Sequence, residues 1–390
     1  MINYLCITDL GDEQVRLAWQ RGEAAPRLYP HPIPCINPVD IDDLTDIQWY
    51  LEQYLHYPFE EERYRAQKIE QTIARWGSEL FTQVFIRSDR DPDPYAFYSE
   101  AMDDGLDTCL ICITSEDPAF LDIPWELLKD PEREPGHLAP LLRGMYRHLA
   151  GHEVDIPELS ATEPFRVLLI MSRPFGERDN AFATVSRPFL AALEPLRNQI
   201  EFDVLRPPTF KALQEHFTTS PGRYRLVHFD GQALFHRTGD YSVAHSIDSV
   251  DTGYLALEGE DGKEDLIDGR RLGQLLANSG IPLFVINAYR SAQMTVFNPF
   301  TSLASQLIAN GVKGVVVTPY PFCSTAAELF MGRFYAGLAK HRLLAEAVTD
   351  ACRALEGQPG RESVTGSTDL KDWIIPVLYQ REHRYVPLPE

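Results

Sequence analysis

The chain has 390 residues, 44% hydrophobic and 24% charged, an ordinary globular balance with ample material for a buried core. Its net charge of -21 argues against a nucleic-acid surface, which needs clustered Lys and Arg, and is compatible with a basic protein partner or with acidity that serves solubility alone. No apolar run approaches the roughly 18 residues needed to span a bilayer, and the N-terminal Met-Ile-Asn-Tyr-Leu-Cys lacks the basic region of a signal peptide, so the sequence predicts a cytoplasmic protein.

In chain order, Tyr4–Asp9 and Val15–Trp19 alternate like a hairpin around Gly11-Asp12-Glu13. Asp40–Tyr57 carries Leu44, Ile47, Leu51, Tyr54 and Leu55 at helical spacing, and Pro58 closes it. Residues 60–85 form a long amphipathic helix pattern broken around Trp76-Gly77. A polar turn at 89–93, a helix over 95–104, a buried strand over 108–114 and Asp122-Ile-Pro-Trp-Glu-Leu-Leu128 follow. Cysteines stand at 6, 35, 109, 112, 323 and 352 without framework spacing. Cys109 and Cys112 match a CxxC, yet they lie in an apolar strand whose alternate side chains face opposite ways, and no second pair completes a zinc site. The sequence predicts neither metal nor cofactor. Residues 129–163, rich in Pro, Gly and charge, read as loop and linker and place a domain boundary near 160.

Beyond the boundary the pattern becomes a regular α/β alternation. Strands fit 165–172, 200–205, 225–229, 283–287 and 312–318, and helices fit 185–198, 209–217, 268–279, 299–310 and 325–341. Continuous apolar strands between helices mean a mostly parallel sheet covered on both faces, with ligands expected outside the carboxyl ends of the strands. Asp230–Ala233 and Ala288–Ala292 read as small-polar turns at two such ends, and 239–262 as a polar insertion, a β-arm.

Those two ends carry the resemblance. Val227-His-Phe-Asp-Gly231 and Asn287-Ala-Tyr-Arg-Ser-Ala292 resemble the active-site signatures of CHAT-domain proteins, caspase-like clan CD cysteine peptidases related to separase. Their pattern is roughly His-Phe-(Asp/Ala)-Gly-His-Gly around the base and Asn-Ala-Cys-(Arg/Gln)-Ser around the nucleophile. Ile123-Pro-Trp-Glu-Leu-Leu128, Gly314–Pro321, Phe334–Leu338, Glu346–Val348 and Asp372–Tyr379 resemble flanking family segments in the same order, and Trp49–Leu55 with Trp76–Phe81 extend the likeness toward the N-terminus. The resemblance implies a caspase-hemoglobinase-like, mostly parallel sheet sandwiched by helices over 161–390. An N-terminal α/β region over 1–160 precedes it, either a separate domain or, as in relatives, a degenerate caspase-like half.

The departures fall on the chemistry. By the same resemblance Gln232 stands where the family has its base histidine, Tyr289 where it has the nucleophilic cysteine, and Ala233 where a glycine follows the histidine; His228, Asp230, Gly231, Asn287, Arg290 and Ser291 match as pocket residues. A clan CD peptidase needs a thiolate activated by an imidazole. A phenol with an ordinary pKa of about 10 is scarcely ionised at neutral pH, and an amide only donates and accepts hydrogen bonds. His228, His236, Ser291 and Cys323 are the available substitutes, each without an identifiable partner in the sequence. The sequence therefore predicts a catalytically inactive pseudoprotease. It would act by binding another protein, an active peptidase or an effector from the same operon, in bacterial signalling, immunity or cell-death control, with no nucleic acid and no membrane involved. The alternatives are an active cysteine peptidase with a relocated site, at Cys323 for example, and a subunit of a peptidase complex. The acidic residues Asp230, Asp240, Asp248 and Asp251 raise a further option, a carboxylate that holds a basic side chain, against the simpler reading of a solvated polar loop.

Overall fold

The computed structural model describes residues 2–85, 93–152, 165–175, 193–236, 252–290 and 299–388. Its contacts gather into two units, residues 1–150 with 343–378 and residues 151–342 with 379–390.

In the first unit, strands β1 (Asn3–Gly11) and β2 (Gln14–Arg21) form the expected hairpin, antiparallel from Asn3↔Arg21 to Asp9↔Val15. The two-residue strands β3 (Arg27–Leu28) and β4 (Ile33–Pro34) pair with the far side of β2. On its other side β1 runs parallel to β5 (Cys109–Ser115), and β5 runs parallel to β6 (Gly144–Leu149). Cys109 and Cys112 are both buried in β5, as their apolar setting predicts, and burial pushes the Cys109 thiol up to about 12.

Strand β6 lies inside the span predicted to be linker. Its disguise is Arg147, only 3% exposed on the side chain and paired with Glu126 at 2.5 Å. A charged residue in a short segment reads as loop until its buried partner is seen.

Helix α1 (Ile41–Glu52) opens on a reciprocal cap: Asp40 accepts from the Asp43 amide at 3.0 Å, and Asp43 accepts from the Asp40 amide at 3.2 Å. Helix α2 (Glu60–Val84) runs unbroken through Trp76-Gly77, against the predicted interruption. Gly77 is there for close approach. A Cβ at this position would stand 2.0 Å from the Leu127 carbonyl oxygen, and the Gly77 carbonyl accepts from the Lys129 amide at 3.1 Å. The Pro-Trp-Glu-Leu-Leu segment thus docks its main chain against the helix. Helices α3 (Pro94–Met102) and α4 (Pro118–Leu121) complete this part.

In the second unit, β7 (Phe165–Met171), β8 (Ile200–Val204), β9 (Leu226–His236), β12 (Leu283–Arg290) and β13 (Gly314–Thr318) form a parallel sheet in the order β8-β7-β9-β12-β13. Strands β10 (Thr252–Glu258) and β11 (Glu264–Asp268) add an antiparallel hairpin, β10 pairing with β9 from Gln232↔Ala256 to His236↔Thr252. Part of the predicted arm is therefore sheet; residues 237–251 lie outside the described residues. Helices α5 (Phe210–Thr219), α6 (Gly269–Asn278), α7 (Pro299–Ala309) and α8 (Ser324–Ala339) alternate with the strands as the sequence predicts. Of the helix predicted over 185–198 the described part holds a 3-10 turn at Glu194–Leu196, and the rest lies outside the described residues.

The chain then returns to the first unit. Helix α9 (Leu344–Gly357) packs on β6 through an ion pair between Arg143 and Glu346, while Arg353 donates to the Pro140 and Leu142 carbonyls at 2.8 and 2.9 Å. The hairpin β14 (Gly360–Ser363) and β15 (Gly366–Asp369) follows, with Arg361 and Asp372 in a buried pair at 2.5 Å, and β16 (Val377–Gln380) ends the series. The protein is an α/β molecule with a mixed, mostly parallel sheet flanked by helices.

Candidate functional site

The parallel ladder of the second unit aligns Met171 of β7, Asp230 of β9, Asn287 of β12 and Thr318 of β13 in one row near the carboxyl ends of the strands. Open α/β sheets bind ligands at such ends. The row is held by polar contacts: Thr318 Oγ1 donates to Asn287 Oδ1 at 3.0 Å, and both residues are buried.

Above this row the strands continue, where the sequence predicts turns. Strand β9 keeps a partner on each side because β10 takes over from β7 at Gln232, and β12 remains in register on the other side. The ladder then aligns Gln232 with Tyr289, and Ala233 with Arg290. The backbone fixes Tyr289 and Arg290 at these positions; Ser291 lies outside the described residues, as do Asp240, Asp248 and Asp251. Gln232 is 8% exposed and Ala233 fully buried.

Residues 228, 230 and 232 alternate along β9 and so share one face of the sheet. His228 is enclosed: its Nδ1 lies 2.8 Å from the Tyr335 hydroxyl of α8, and the two rings stack with centroids 6.2 Å apart. Burial pulls the His228 pKa down to about 3, so the imidazole is neutral. Gly231 faces the other way, and a larger residue there would have to displace the Phe229 ring, because a Cβ would stand 2.6 Å from it and 3.2 Å from the Ser172 carbonyl oxygen.

Asp230 does not join a solvated acidic loop. Its carboxylate is 7% exposed and accepts from Arg173 Nη2 at 2.9 Å. Arg173 Nη1 donates to the carbonyl oxygens of Ser172 and Asp230, each at 2.8 Å, and the Arg173 amide donates to Glu258 of β10 at 3.1 Å. The sequence alone does not single out Arg173. The available signal is Ser172-Arg173-Pro174 directly after an apolar strand, a cation at another carboxyl end of the same sheet.

Cys323 immediately precedes α8 and is half-buried, with its Sγ 3.3 Å from Thr325 Oγ1. Among the described residues no group of three or more His, Cys, Asp or Glu side chains is arranged to hold a metal ion, and no helix is long and apolar enough to cross a membrane.

The site is thus a polar strip on adjacent strand ends, with one neutral imidazole sealed below it and one guanidinium–carboxylate pair beside it. Two structures of the Saccharomyces cerevisiae separase–securin complex resemble the chain. One does so with a TM-score of 0.46 and 11% identity over 98% of this chain, the other with 0.43 and 9% over 97%. The chain spans 30% of the matched chain's length in each case. No curated protein matches the sequence at a significant level. The family model described as the CHAT domain matches residues 102–385, from the end of α3 past β16 and across both signature strands. That match takes in well over half of the sequence, and the chain belongs to the CHAT-domain family.

Proposed function

We propose that this CHAT-domain chain works by binding rather than by hydrolysis. In this reading it is a catalytically inert relative of caspase-like peptidases that regulates or scaffolds another protein, an active peptidase or an effector, in bacterial signalling, immunity or cell-death control. The observation that carries the reading is the ladder pairing of Gln232 with Tyr289. The two positions that the sequence signatures equate with base and nucleophile are direct neighbours on adjacent strands, as a dyad requires, and they hold a carboxamide and a phenol. An amide has no useful basicity, and loss of either member of a dyad removes most of the rate because the two act as a unit.

Two histidines lie four residues from Gln232 on β9, His228 before it and His236 after it at the strand's end, and the first argues the same way. His228 lies four residues back along β9, roughly 13 Å at about 3.3 Å per residue. It is stacked on Tyr335, and its pKa of about 3 makes it a poor proton acceptor. A general base works best with a pKa near the operating pH.

The test is a peptidase assay on the purified full chain, using peptides with a basic residue before the cleaved bond, alongside Tyr289→Phe and Cys323→Ala variants. All three proteins are expected to show no turnover above the uncatalysed background. Turnover by the unaltered chain would overturn the reading, and its loss in Cys323→Ala alone would assign the chemistry to a relocated thiol.

A further inference from the structure

Cys109 and Cys112, the CxxC of the sequence, do not make a pair of their own. They stand three residues apart on one strand, so their side chains leave opposite faces of the sheet. Cys112 has a different neighbour. Strands β1 and β5 run parallel with Cys6 directly opposite Cys112, and the two thiols hydrogen-bond to each other across the ladder. Aligned residues on adjacent strands stand about 4.8 Å apart at the backbone, inside the span of about 4.4–6.8 Å between Cα atoms that a disulfide bridges. Both backbones are anchored, β1 between β2 and β5, and β5 between β1 and β6. Only side-chain torsions have to turn for the sulfurs to join.

The two sulfurs differ in access. The row that crosses the sheet at this point is Ala18, Cys6, Cys112 and Tyr146. Ala18 and Cys6 are half-buried, whereas Cys112 and Tyr146 are sealed. In the next row on the same face Arg16 is exposed and Thr8, Thr114 and His148 are half-buried, so a solute from solvent meets Cys6 first. Cys112 has polar company of its own: its Sγ lies 3.3 Å from Thr114 Oγ1, and it is hydrogen-bonded with Tyr146. A hydroxyl that donates to a thiolate favours the charged form, which suits the sulfur that attacks second. The hydrogen bond to Cys112 and burial push the Cys6 thiol above its ordinary range. Its thiolate is therefore scarce, and exchange at this pair is slow.

We propose that Cys6 and Cys112 form an oxidation site, at which a small disulfide such as oxidised glutathione converts the two thiols into an intramolecular disulfide between β1 and β5. The Cys6 thiolate attacks one sulfur of the small disulfide. The S–S bond of the reagent breaks, and its other half leaves as a thiolate that takes up a proton. Cys112, deprotonated, then attacks the Cys6 sulfur of the mixed disulfide and expels the second half in the same way. Two protein thiols are oxidised, one small disulfide is reduced to two thiols, and the protons lost by the protein end on the leaving groups. Cys109, on the other face, takes no part. The new bond ties the N-terminal hairpin to a strand distant in sequence, a long loop whose closure constrains the unfolded chain.

The experiment incubates the folded full chain with oxidised glutathione, blocks the remaining thiols with iodoacetamide in denaturant, digests without reduction and reads the peptides by mass spectrometry. The expected product is one cross-linked peptide pair holding residues 6 and 112, lost again on treatment with dithiothreitol. Cys112→Ser is expected to accumulate glutathione on Cys6, and Cys6→Ser to leave Cys112 unmodified. Cys323, half-buried as Cys6 is, reports reagent access in the same sample. Glutathione retained on Cys6 of the unaltered chain without the cross-link would overturn the proposal, because the sulfurs then fail to close. A link between any other two cysteines in its place would overturn it as well, as would intact thiols at both positions, whether or not Cys323 is modified. A link between residues 6 and 112 that forms only in denaturant counts against it equally. These readings are made on the unaltered chain, so they decide the matter even where a variant does not fold; Cys112→Ala then takes the place of Cys112→Ser.

Discussion

His228 shows how one side chain sets a pH response. The folded chain holds the imidazole neutral with a pKa of about 3, whereas the unfolded chain titrates near 6.5. A lowered base pKa means that the unfolded state binds the extra proton first, so stability falls as pH drops below 6.5 and rises as it returns. Acidification to about pH 4.5 costs roughly 2–3 kcal/mol from this residue. His137 of the first unit adds a contribution of the same sign, its pKa brought down to about 4 by burial. A His228→Gln variant is expected to melt lower at neutral pH, because the Tyr335 contact is altered. Its melting temperature is then expected to decline less than that of the unaltered chain between pH 7 and about 4.5. Thermal melts across that range check the slope; parallel curves would contradict it. At this scale the sequence made much of the site legible. His228, Asp230, Gly231, Gln232 and Asn287 do lie on paired strands, where the resemblance of their two motifs to the family's signatures placed them. Arg173 was illegible because its role depends on a cross-strand distance that no local spacing reports.

At the scale of elements, the periodicity of α2 was readable and its continuity was not. Glycine inside a helix ordinarily costs about 1 kcal/mol relative to alanine, so Trp76-Gly77 reads as a break until the Leu127 carbonyl is found in the space of the missing Cβ. Two effects oppose each other in Gly77→Ala: a propensity gain of about 1 kcal/mol and an overpacking cost of about 1–3 kcal/mol or more. The clash is with main chain that is itself bonded, Leu127 donating to Pro124 at 3.0 Å and Lys129 to Gly77 at 3.1 Å, so it has little freedom to relax. The substitution is therefore expected to destabilise the protein by about 2 kcal/mol net, the upper end of the difference between those two magnitudes, because the approach is to main chain. The neighbouring Ser78→Ala, on a half-buried position, is expected to change stability by under about 0.5 kcal/mol. Chemical denaturation of both variants separates the readings, and a neutral Gly77→Ala would remove the close-approach account. Strand β6 was hidden for a related reason: Arg147 looks solvated in sequence and is balanced by Glu126 in space.

At the scale of the whole molecule, the α/β alternation after residue 160 was legible because parallel strands buried on both faces must be continuously apolar. The return of residues 343–378 to the first unit was not, since α9 is an ordinary amphipathic helix whose partner is 211 residues away in sequence, as Arg353 bonded to Leu142 shows. A chain ending at Arg342 is expected to lose amide protection in β5 and β6, because Leu344, Ala347, Val348, Ala351 and Leu355 of α9 are buried in the intact unit. Hydrogen exchange read by mass spectrometry tests this, with recovery expected when residues 343–390 are supplied in trans. Unchanged protection in the truncated chain would refute the grouping.

That return also imposes an order on biosynthesis. Strands β1 to β6 leave the ribosome first, yet the helix that covers β6 emerges only after the roughly 190 residues between. At about 5–20 residues per second the nascent unit waits on the order of 10–40 s with an apolar flank uncovered. During that interval the polypeptide is a natural client for holdase chaperones, and slow codons placed late in the message would lengthen its exposure.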